Sequence, residues 1–533
     1  MQSRDLQLKQ LLETDLDVLI IGGGINGASV ATAISSSEYR VALVDKTDFS
    51  SQSSQNSSGL IWGGIKYLQS GKVFLVRQLS RQRNALMRAY PSQISETRFL
   101  LLFDKENWIK RRFVYFGTWF YWLLGGGRTD RPRLVKKEEI RQLEPALARK
   151  NGFTGVEYSD ATLVDGDARF VFNLIDKATR NSSLAINYLT VTGLNFTRHE
   201  GGSAWCVSLF DEINQKKITI NTRVVVNAAG PFADNINQLA GVNTKYRHVF
   251  SKGVHLVVKR FADPGRVLSF FSSDGRPFFV IPTGGESSIG TTDTKVCNQD
   301  THVDEMDREF ILTNLNKVLA KPFQLSLTDI ISERSGVRPL AVSRKNEELK
   351  NFFHLSRRHL IESSKDFPII TIFGGKLTSC LEVGTDVRRE ISSFLDSPNI
   401  LFQNHWLGEP DAKTMSEFLD LAGSMMNHKN LPDALFKRLW RYYGEDAYNI
   451  LIKINSEPDG SAIILKEFDI TRAELDFIRE NQMVMKLEDF IRRRTLFALT
   501  FNKQELSDLP GMWQACEILF GDLAGSRYDE YFG

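Results

Sequence analysis

Asp17-Val-Leu-Ile-Ile-Gly-Gly-Gly-Ile-Asn-Gly27 is the stretch whose reading decides the fold. Its unbroken apolar run is the pattern of a parallel strand buried on both faces, and the glycines that follow mark a tight turn. The alanine-rich stretch from Ile25 to Ser35 predicts a helix, and Arg40-Val-Ala-Leu-Val-Asp45 predicts a second strand. The order strand, glycine turn, helix, strand is a βαβ unit, and Gly22-x-Gly24-x-x-Gly27 sits in it where a dinucleotide fingerprint belongs. Gly22 permits the turn, Gly24 lets the backbone approach a pyrophosphate, and Gly27 allows close helix–strand packing. Asn26 stands in the first helical turn, where free N–H groups and the helix dipole favour phosphate. Asp45, 18 residues after Gly27, suits a hydrogen bond to ribose hydroxyls, and Lys46 follows it at the mouth of the same site. The competing reading is a glycine turn kept only for packing.

The rest of the composition is ordinary. The chain has 533 residues, 42% hydrophobic and 25% charged, with 67 Lys and Arg against 64 Asp and Glu. Such a chain is long enough for several domains and for a core that needs no disulfide or metal staple. A net charge of +3 is far from the basic stripe of a nucleic-acid binder, so no nucleic-acid partner is expected. Cys206, Cys297, Cys380 and Cys516 form no CxxC pair, which excludes a zinc knuckle and an iron–sulfur cluster and predicts inert buried thiols in a reducing cytoplasm. No metal is expected. The N-terminus carries both charges without an apolar core, so no secretory signal is expected. The aromatic run Phe113-Val-Tyr-Phe-Gly-Thr-Trp-Phe-Tyr-Trp-Leu-Leu124 is 12 residues long, too short to span a bilayer that needs about 20. It reads as a buried core helix or, with Lys110, Arg111 and Arg112 before it, as a segment lying in a membrane interface.

Serine-rich residues 50–58 resemble a linker in composition, yet the apolar, glycine-punctuated Gly59-Leu-Ile-Trp-Gly-Gly-Ile-Lys-Tyr67 follows, which places them inside a domain. Ser53, Ser54 and Ser57 are therefore candidates to bind the cofactor's pyrophosphate and ring. A helix is predicted from about Val73 to Ala89. Residues 93–335 read as strand-rich with two helical interruptions, and beyond about residue 405 the pattern turns helical. Two further strands end in glycine turns, Val224-Val-Val-Asn-Ala-Ala-Gly230 and Ile369-Ile-Thr-Ile-Phe-Gly-Gly-Lys376. One dinucleotide held by such separated segments points to FAD. Ala229, Gly230, Gly375, Lys376, Leu377 and Thr378 are its further candidate contacts, with Lys376 and backbone N–H groups placed to stabilise negative charge on a reduced flavin.

At this point the motifs carry a resemblance. The chain resembles the respiratory, quinone-linked, FAD-dependent glycerol-3-phosphate dehydrogenases. The matching segments are Gly22-Gly-Gly-Ile-Asn-Gly-Ala28, Ser57-Ser-Gly-Leu-Ile-Trp-Gly-Gly-Ile-Lys-Tyr-Leu68, Glu157-Tyr-Ser-Asp160 with Asp167-Ala-Arg169, and Val226-Asn-Ala-Ala-Gly-Pro231. Lys252-Gly-Val-His255, Ile289-Gly-Thr-Thr-Asp293, Ser335-Gly-Val-Arg-Pro-Leu340, Ser356-Arg357, Phe373-Gly-Gly-Lys-Leu-Thr378 and, in the helical tail, Leu487-Glu-Asp489 with Arg493-Arg-Thr495 follow in the family's order. Within the flavin loop Gly59, Trp62 and Lys66 stand where the family usually has lysine, histidine and arginine.

The resemblance implies an α/β fold: a discontinuous Rossmann-like FAD-binding domain (17–92, 153–240 and 336–395), a β-rich substrate domain (241–335, with 93–152 packed on it) and an all-helical C-terminal domain (405–533), after an N-terminal extension (1–16). It implies oxidation of sn-glycerol 3-phosphate to dihydroxyacetone phosphate with electrons passed to a quinone, in a homodimer held peripherally on the inner face of the cytoplasmic membrane. Lys66, Tyr67, Arg338 and Arg357 are the expected substrate-binding residues, gathered from separate segments to hold a phosphate. His255, Arg338 and Lys376 are the expected catalytic residues. Arginine stays protonated, so Arg338 stabilises charge while His255 is the candidate base for the hydroxyl proton. His255 also reads as a purely structural histidine on a strand. The departures at 59, 62 and 66 keep two other readings open: a related flavoenzyme for a different hydroxy or amino substrate, and a catalytically silent flavoprotein.

Overall fold

In the computed structural model the described residues are 3–35, 37–104, 108–147, 152–199, 202–299, 301–345, 358–364, 366–395, 408–429 and 431–533. The opening βαβ unit consists of strand Leu16–Ile21, helix Ile25–Ile34 and strand Val41–Val44. Around it forms a sheet in which Ile369–Phe373, Lys216–Asn227, Leu16–Ile21, Val41–Val44 and Leu184–Ile186 lie side by side and parallel. The strand Leu360–Ser363 closes one edge antiparallel, and the pair Leu189–His199 and Gly202–Asp211 extends from Lys216–Asn227.

The apolar run 18–21 explains why this sheet is covered on both faces, because successive side chains point opposite ways. Val18 and Ile20 pack into a core shared with the helices Ile25–Ile34, Asp167–Arg180 and Cys380–Ile391. Leu19 and Ile21 pack on the other side with Leu11, Trp205 and Ile236. Residues 3–15, expected as an extension, thus pack on this sheet. Their helix Arg4–Glu13 supplies Leu11 to the core and ties Arg4 to Asp211 by a buried ion pair of 2.7 Å.

A second, larger sheet is built mainly of antiparallel pairs, the longest being Tyr246–Lys259 with Ile330–Ser343. Phe153–Leu163 belongs here and not with the first sheet, because all its residues pair with Ile94–Asp104. The region 93–335 contains five α-helices among the described residues, Trp108–Leu124, Lys137–Leu143, Asp167–Arg180, Ala233–Leu239 and Glu305–Asn316, more than the two interruptions read from sequence. The short ones, such as Lys137–Leu143, complete only about two turns and leave a weak periodic signal.

The C-terminal part packs Ala412–Lys429, Asp433–Tyr443, Ala447–Ser456, Arg472–Asn481 and Met512–Phe520 around a separate core centred on Phe436, Trp440, Phe490 and Phe497. Its only β structure among the described residues is the small pair Ile463–Leu465 and Ile470–Thr471. No helix of the described residues is long and apolar enough to cross a membrane. The helix Trp108–Leu124 is not the buried core helix that one reading allowed. Tyr121 is buried beneath it, but Ile109, Phe113, Phe116, Phe120 and Leu123 form an exposed stripe, with Phe113 78% accessible. The thiols also differ from expectation: Cys380 and Cys516 are buried, but Cys297 is exposed and Cys206 half-buried.

Candidate functional site

The glycines of the first turn have separate physical reasons. Gly22 has φ +108°, and a Cβ there would lie 2.5 Å from the carbonyl oxygen of Ala228. A Cβ on Gly27 would lie 1.9 Å from the carbonyl oxygen of Gly22, so Gly27 brings the helix onto the turn and sits behind the site, not on its wall. Gly24 precedes the helix, whose first residue Ile25 donates its N–H to Ser54 Oγ at 3.0 Å. Asp45 ends the second strand and receives the N–H of Gly23 at 2.7 Å and that of Thr47 at 2.9 Å. Desolvation outweighs those bonds and pushes its carboxyl up to about 6. Beside it the ammonium of Lys46 lies 3.2 Å from the Phe232 ring centroid.

These groups line a cleft of about 420 Å³ running between the two sheets. The serine loop forms part of its wall, with Ser53 Oγ donating to the Val337 carbonyl at 2.5 Å and Ser57 N–H donating to Asp167 at 2.8 Å. Opposite, the turn after Ile369–Phe373 is stitched in by Asn26 Nδ2 donating to Gly374 O at 3.0 Å and Trp62 N–H donating to Thr378 Oγ1 at 3.0 Å. Gly22, Gly24, Asn26, Asp45, Lys46, Ser53, Ser54, Ser57, Ala229, Gly230, Gly375, Lys376, Leu377 and Thr378 all line the cleft. So do Lys66, Tyr67, His255 and Arg338. Arg357 lies outside the described residues.

His255 and Arg338 meet through the long strand pair. His255 faces Arg334 across one register and Gly290 across the other. Arg338 passes over Gly253, where a Cβ would lie 2.1 Å from Nη2, and donates to Thr291 Oγ1 at 2.7 Å and Thr292 O at 3.1 Å. Burial, aided by the charges of Arg334 and Arg338, drives the His255 imidazole well below its ordinary value, so it is neutral. Lys376 donates to Tyr67 Oη at 2.7 Å.

Trp62 packs its ring 6.4 Å from both Tyr67 and Phe279, with Lys66 Nζ 5.9 Å from the Trp62 centroid. Sequence reasoning did not assign Arg276, Phe279, Thr291 or Asp293 to the site, yet all four line it. For Thr291 and Asp293 the signal was present, since they fall in Ile289-Gly-Thr-Thr-Asp293. Arg276 and Phe279 belong to no motif.

The residues fit FAD. Buried polar atoms without a protein partner, Asn26 Oδ1, Ser50 Oγ, Asn56 Oδ1 and His255 Nδ1, all belong to residues of this one cleft. Buried polar groups are normally satisfied, so these four leave hydrogen-bonding capacity beside the glycine turn and the serine loop. The glycine turn, helix N-terminus and Asp45 offer a pyrophosphate and a ribose their usual partners.

Residues 17–365 match the family model of FAD dependent oxidoreductases, and residues 412–517 match that of the C-terminal domain of alpha-glycerophosphate oxidase. The aerobic glycerol-3-phosphate dehydrogenase of Staphylococcus aureus is 28% identical over 519 residues, covering 94% of this chain and 90% of its own. Among solved structures, the glycerol-3-phosphate dehydrogenase of Bacillus halodurans complexed with FAD superposes with a TM-score of 0.76 at 24% identity, covering 99% of this chain and 96% of its own. The L-alpha-glycerophosphate oxidase of Mycoplasma pneumoniae with FAD bound gives a TM-score of 0.56 at 17% identity, covering 75% of this chain and 100% of its own.

Proposed function

This chain belongs to the FAD-dependent oxidoreductases, and on that footing we propose that it oxidises sn-glycerol 3-phosphate to dihydroxyacetone phosphate. One observation carries the reading. Among the described residues Lys46, Lys66, Arg276, Arg338 and Lys376 line the cleft against Asp45 and Asp293, so the cavity that takes the cofactor also attracts a second small anion. The name of the 28% identical relative supports the same substrate.

FAD, when bound, supplies an acceptor for the hydride that leaves C2 of the alcohol. The protein's own part is to bind, orient and move one proton. Lys66, Tyr67, Arg338 and Lys376 hold the phosphate. His255 lines the cleft and is neutral, so its imidazole accepts the hydroxyl proton as the carbonyl forms. Arg338 holds the negative charge that develops on oxygen. The resemblance supports a quinone as the onward electron acceptor and a homodimer as the working form. The exposed stripe of Trp108–Leu124 supports peripheral attachment to the inner face of the cytoplasmic membrane.

A second reading rests on Trp62. Its indole lines the cleft against Tyr67 and Phe279, where the family usually carries histidine, and favours a related flavoenzyme with another hydroxy or amino substrate. Anaerobic mixing of the flavoprotein with a panel of alcohols separates the two. Bleaching of the flavin absorbance by sn-glycerol 3-phosphate is the expected result. Bleaching only by an unphosphorylated hydroxy acid or an amino acid moves the assignment to the second reading.

A further inference from the structure

The serine loop that walls the cleft has no core of its own. None of residues 51–58 is buried, so apolar packing cannot hold it in place. What holds it is a set of polar ties: Ser53, Ser54 and Ser57 bond Val337, Ile25 and Asp167, Arg334 donates to the Gln55 carbonyl, and the chain just before the loop is tied to the far end of the protein. Asp48, fully buried just before the loop, receives Arg493 Nε at 2.6 Å, and Arg494 Nη1 and Nη2 at 2.8 and 2.9 Å. Inside the loop, Arg493 Nη1 donates to Gln55 Oε1 at 3.3 Å. These arginines lie 445 and 446 residues after Asp48 in sequence, in a π-helical turn Asp489–Arg494 of the C-terminal domain. Such widened turns recur at functional positions.

The arrangement is over-determined for a mere domain contact. Arg493 is also braced by Asp489 at 2.6 Å, and Asp489 in turn receives Tyr188 Oη at 2.7 Å. Burial pushes the Asp48 carboxyl up, but the two guanidiniums prevail and leave it below its ordinary value, a charged group held by two charges. Asp48 is two residues from Ser50, whose N–H donates to Gly23 O in the first glycine turn at 3.0 Å. The chain from Asp48 to Gln55 is therefore gripped at Asp48 by both Arg493 and Arg494 and at Gln55 by Arg493, and Ser53 and Ser54 lie between those grips on the cleft wall.

We propose that the C-terminal domain is the retaining clamp of the cofactor cleft: Arg493 and Arg494 are positioning residues that hold the serine loop against the first glycine turn, so that FAD affinity depends on them. They touch Asp48 and Gln55 and act on the cofactor only through the loop. The readout is FAD affinity, so the inference stands apart from the identity of the oxidised alcohol.

The test is fluorescence titration of the deflavinated full-length protein with FAD, alongside thermal unfolding and the visible circular dichroism of the bound flavin. Arg494→Gln and Asp48→Asn are each expected to weaken FAD binding about tenfold or more, the loss of a buried charged hydrogen bond. Gln55→Ala removes only the neutral end of the Arg493 tie and should weaken it about threefold with little change in Tm. The control is Arg438→Gln, which breaks a buried ion pair with Glu474 inside the C-terminal core and away from the loop. It should lower Tm and leave FAD affinity unchanged. If Arg438→Gln weakens FAD binding as much as Arg494→Gln, general destabilisation explains the effect and the clamp is wrong. Should Arg494→Gln fail to fold, Gln55→Ala decides, and unchanged affinity and dichroism in that variant overturn the proposal.

Discussion

Lys376 Nζ donates a 2.7 Å hydrogen bond to the phenol oxygen of Tyr67, a residue 309 positions earlier in the chain. The ammonium also lies 4.2 Å from the centroid of the same ring. The bond joins the glycine turn after Ile369–Phe373 to the short helical turn Ile65–Ser70, beside the Trp62–Thr378 bond that links the same two walls. Tyr67→Phe keeps the ring and loses the bond. Steady-state kinetics should show KM for glycerol 3-phosphate rising about threefold to tenfold, with flavin content unchanged. Lys376→Met removes a cation as well and should lower kcat/KM about a hundredfold.

Gly253 makes room for the Arg338 guanidinium through its lack of a side chain. A Cβ there would lie 2.1 Å from Nη2 of Arg338 and 2.3 Å from its Cζ, so Gly253→Ala must swing the guanidinium away from Thr291 and Thr292. The expected outcome is a KM increase of about tenfold together with a fall in kcat, since the displaced charge is lost both from the phosphate and from the oxygen on which charge develops. An unaltered KM would remove Arg338 from the substrate site.

Asp45 makes cofactor affinity pH-dependent. Its folded carboxyl keeps a proton up to about 6, whereas the ordinary value is 3.8. The folded apoprotein therefore binds more protons than the unfolded chain between these values, and its stability from this group falls as pH rises through that window. Ribose hydroxyls donating to Asp45 favour the carboxylate, so FAD binding expels the proton. Affinity should be about tenfold higher at pH 7 than at pH 5 and level off above about pH 6. Isothermal titration should show Asp45→Asn binding FAD weakly and without that slope.

His255 is poised neutral. Burial with Arg334 and Arg338 nearby places it well below its ordinary 6.5, so the acid limb it imposes on kcat lies below that pH. Replacement by Asn should cost about a hundredfold to ten-thousandfold in kcat while flavin absorbance persists. The unfolded histidine takes up a proton below 6.5 and the folded one does not. Stability from this group is therefore present above 6.5 and is lost as pH falls, a loss that His255→Asn should abolish in acid denaturation.

The exposed stripe on Trp108–Leu124 has its own test. Phe113→Ser with Phe116→Ser removes two large apolar side chains that touch no core. Sedimentation with anionic phosphatidylglycerol vesicles should fall about tenfold, while kinetics with a soluble electron acceptor stay unchanged. Equal sedimentation of both proteins would remove this helix from the membrane reading.

Local sequence carried the cofactor end of the site. Gly22, Gly24, Gly27 and Asp45 are close in the chain, and their placement around the first turn follows from backbone geometry within residues 17–45. Ser53, Ser54 and the turn 374–378 were legible because polar or glycine-rich residues stood beside buried strands. The substrate end was legible only as separate motifs. Nothing in the letters near Gly253 says that Arg338 crosses it, because that contact is created by strand register. Arg276 and Phe279 were invisible for the same reason.

The amino-acid sequence by itself determined the opening βαβ unit, the dinucleotide it takes and the split into sheet-rich and helical parts, because these rest on periodicity and on steric rules obeyed within a few residues. Only the tertiary structure decided which face of the aromatic helix meets solvent, that Phe153–Leu163 joins the second sheet, and that Arg493 and Arg494 close on Asp48. Burial and long-range pairing depend on what packs against a residue, and that is a property of the whole fold.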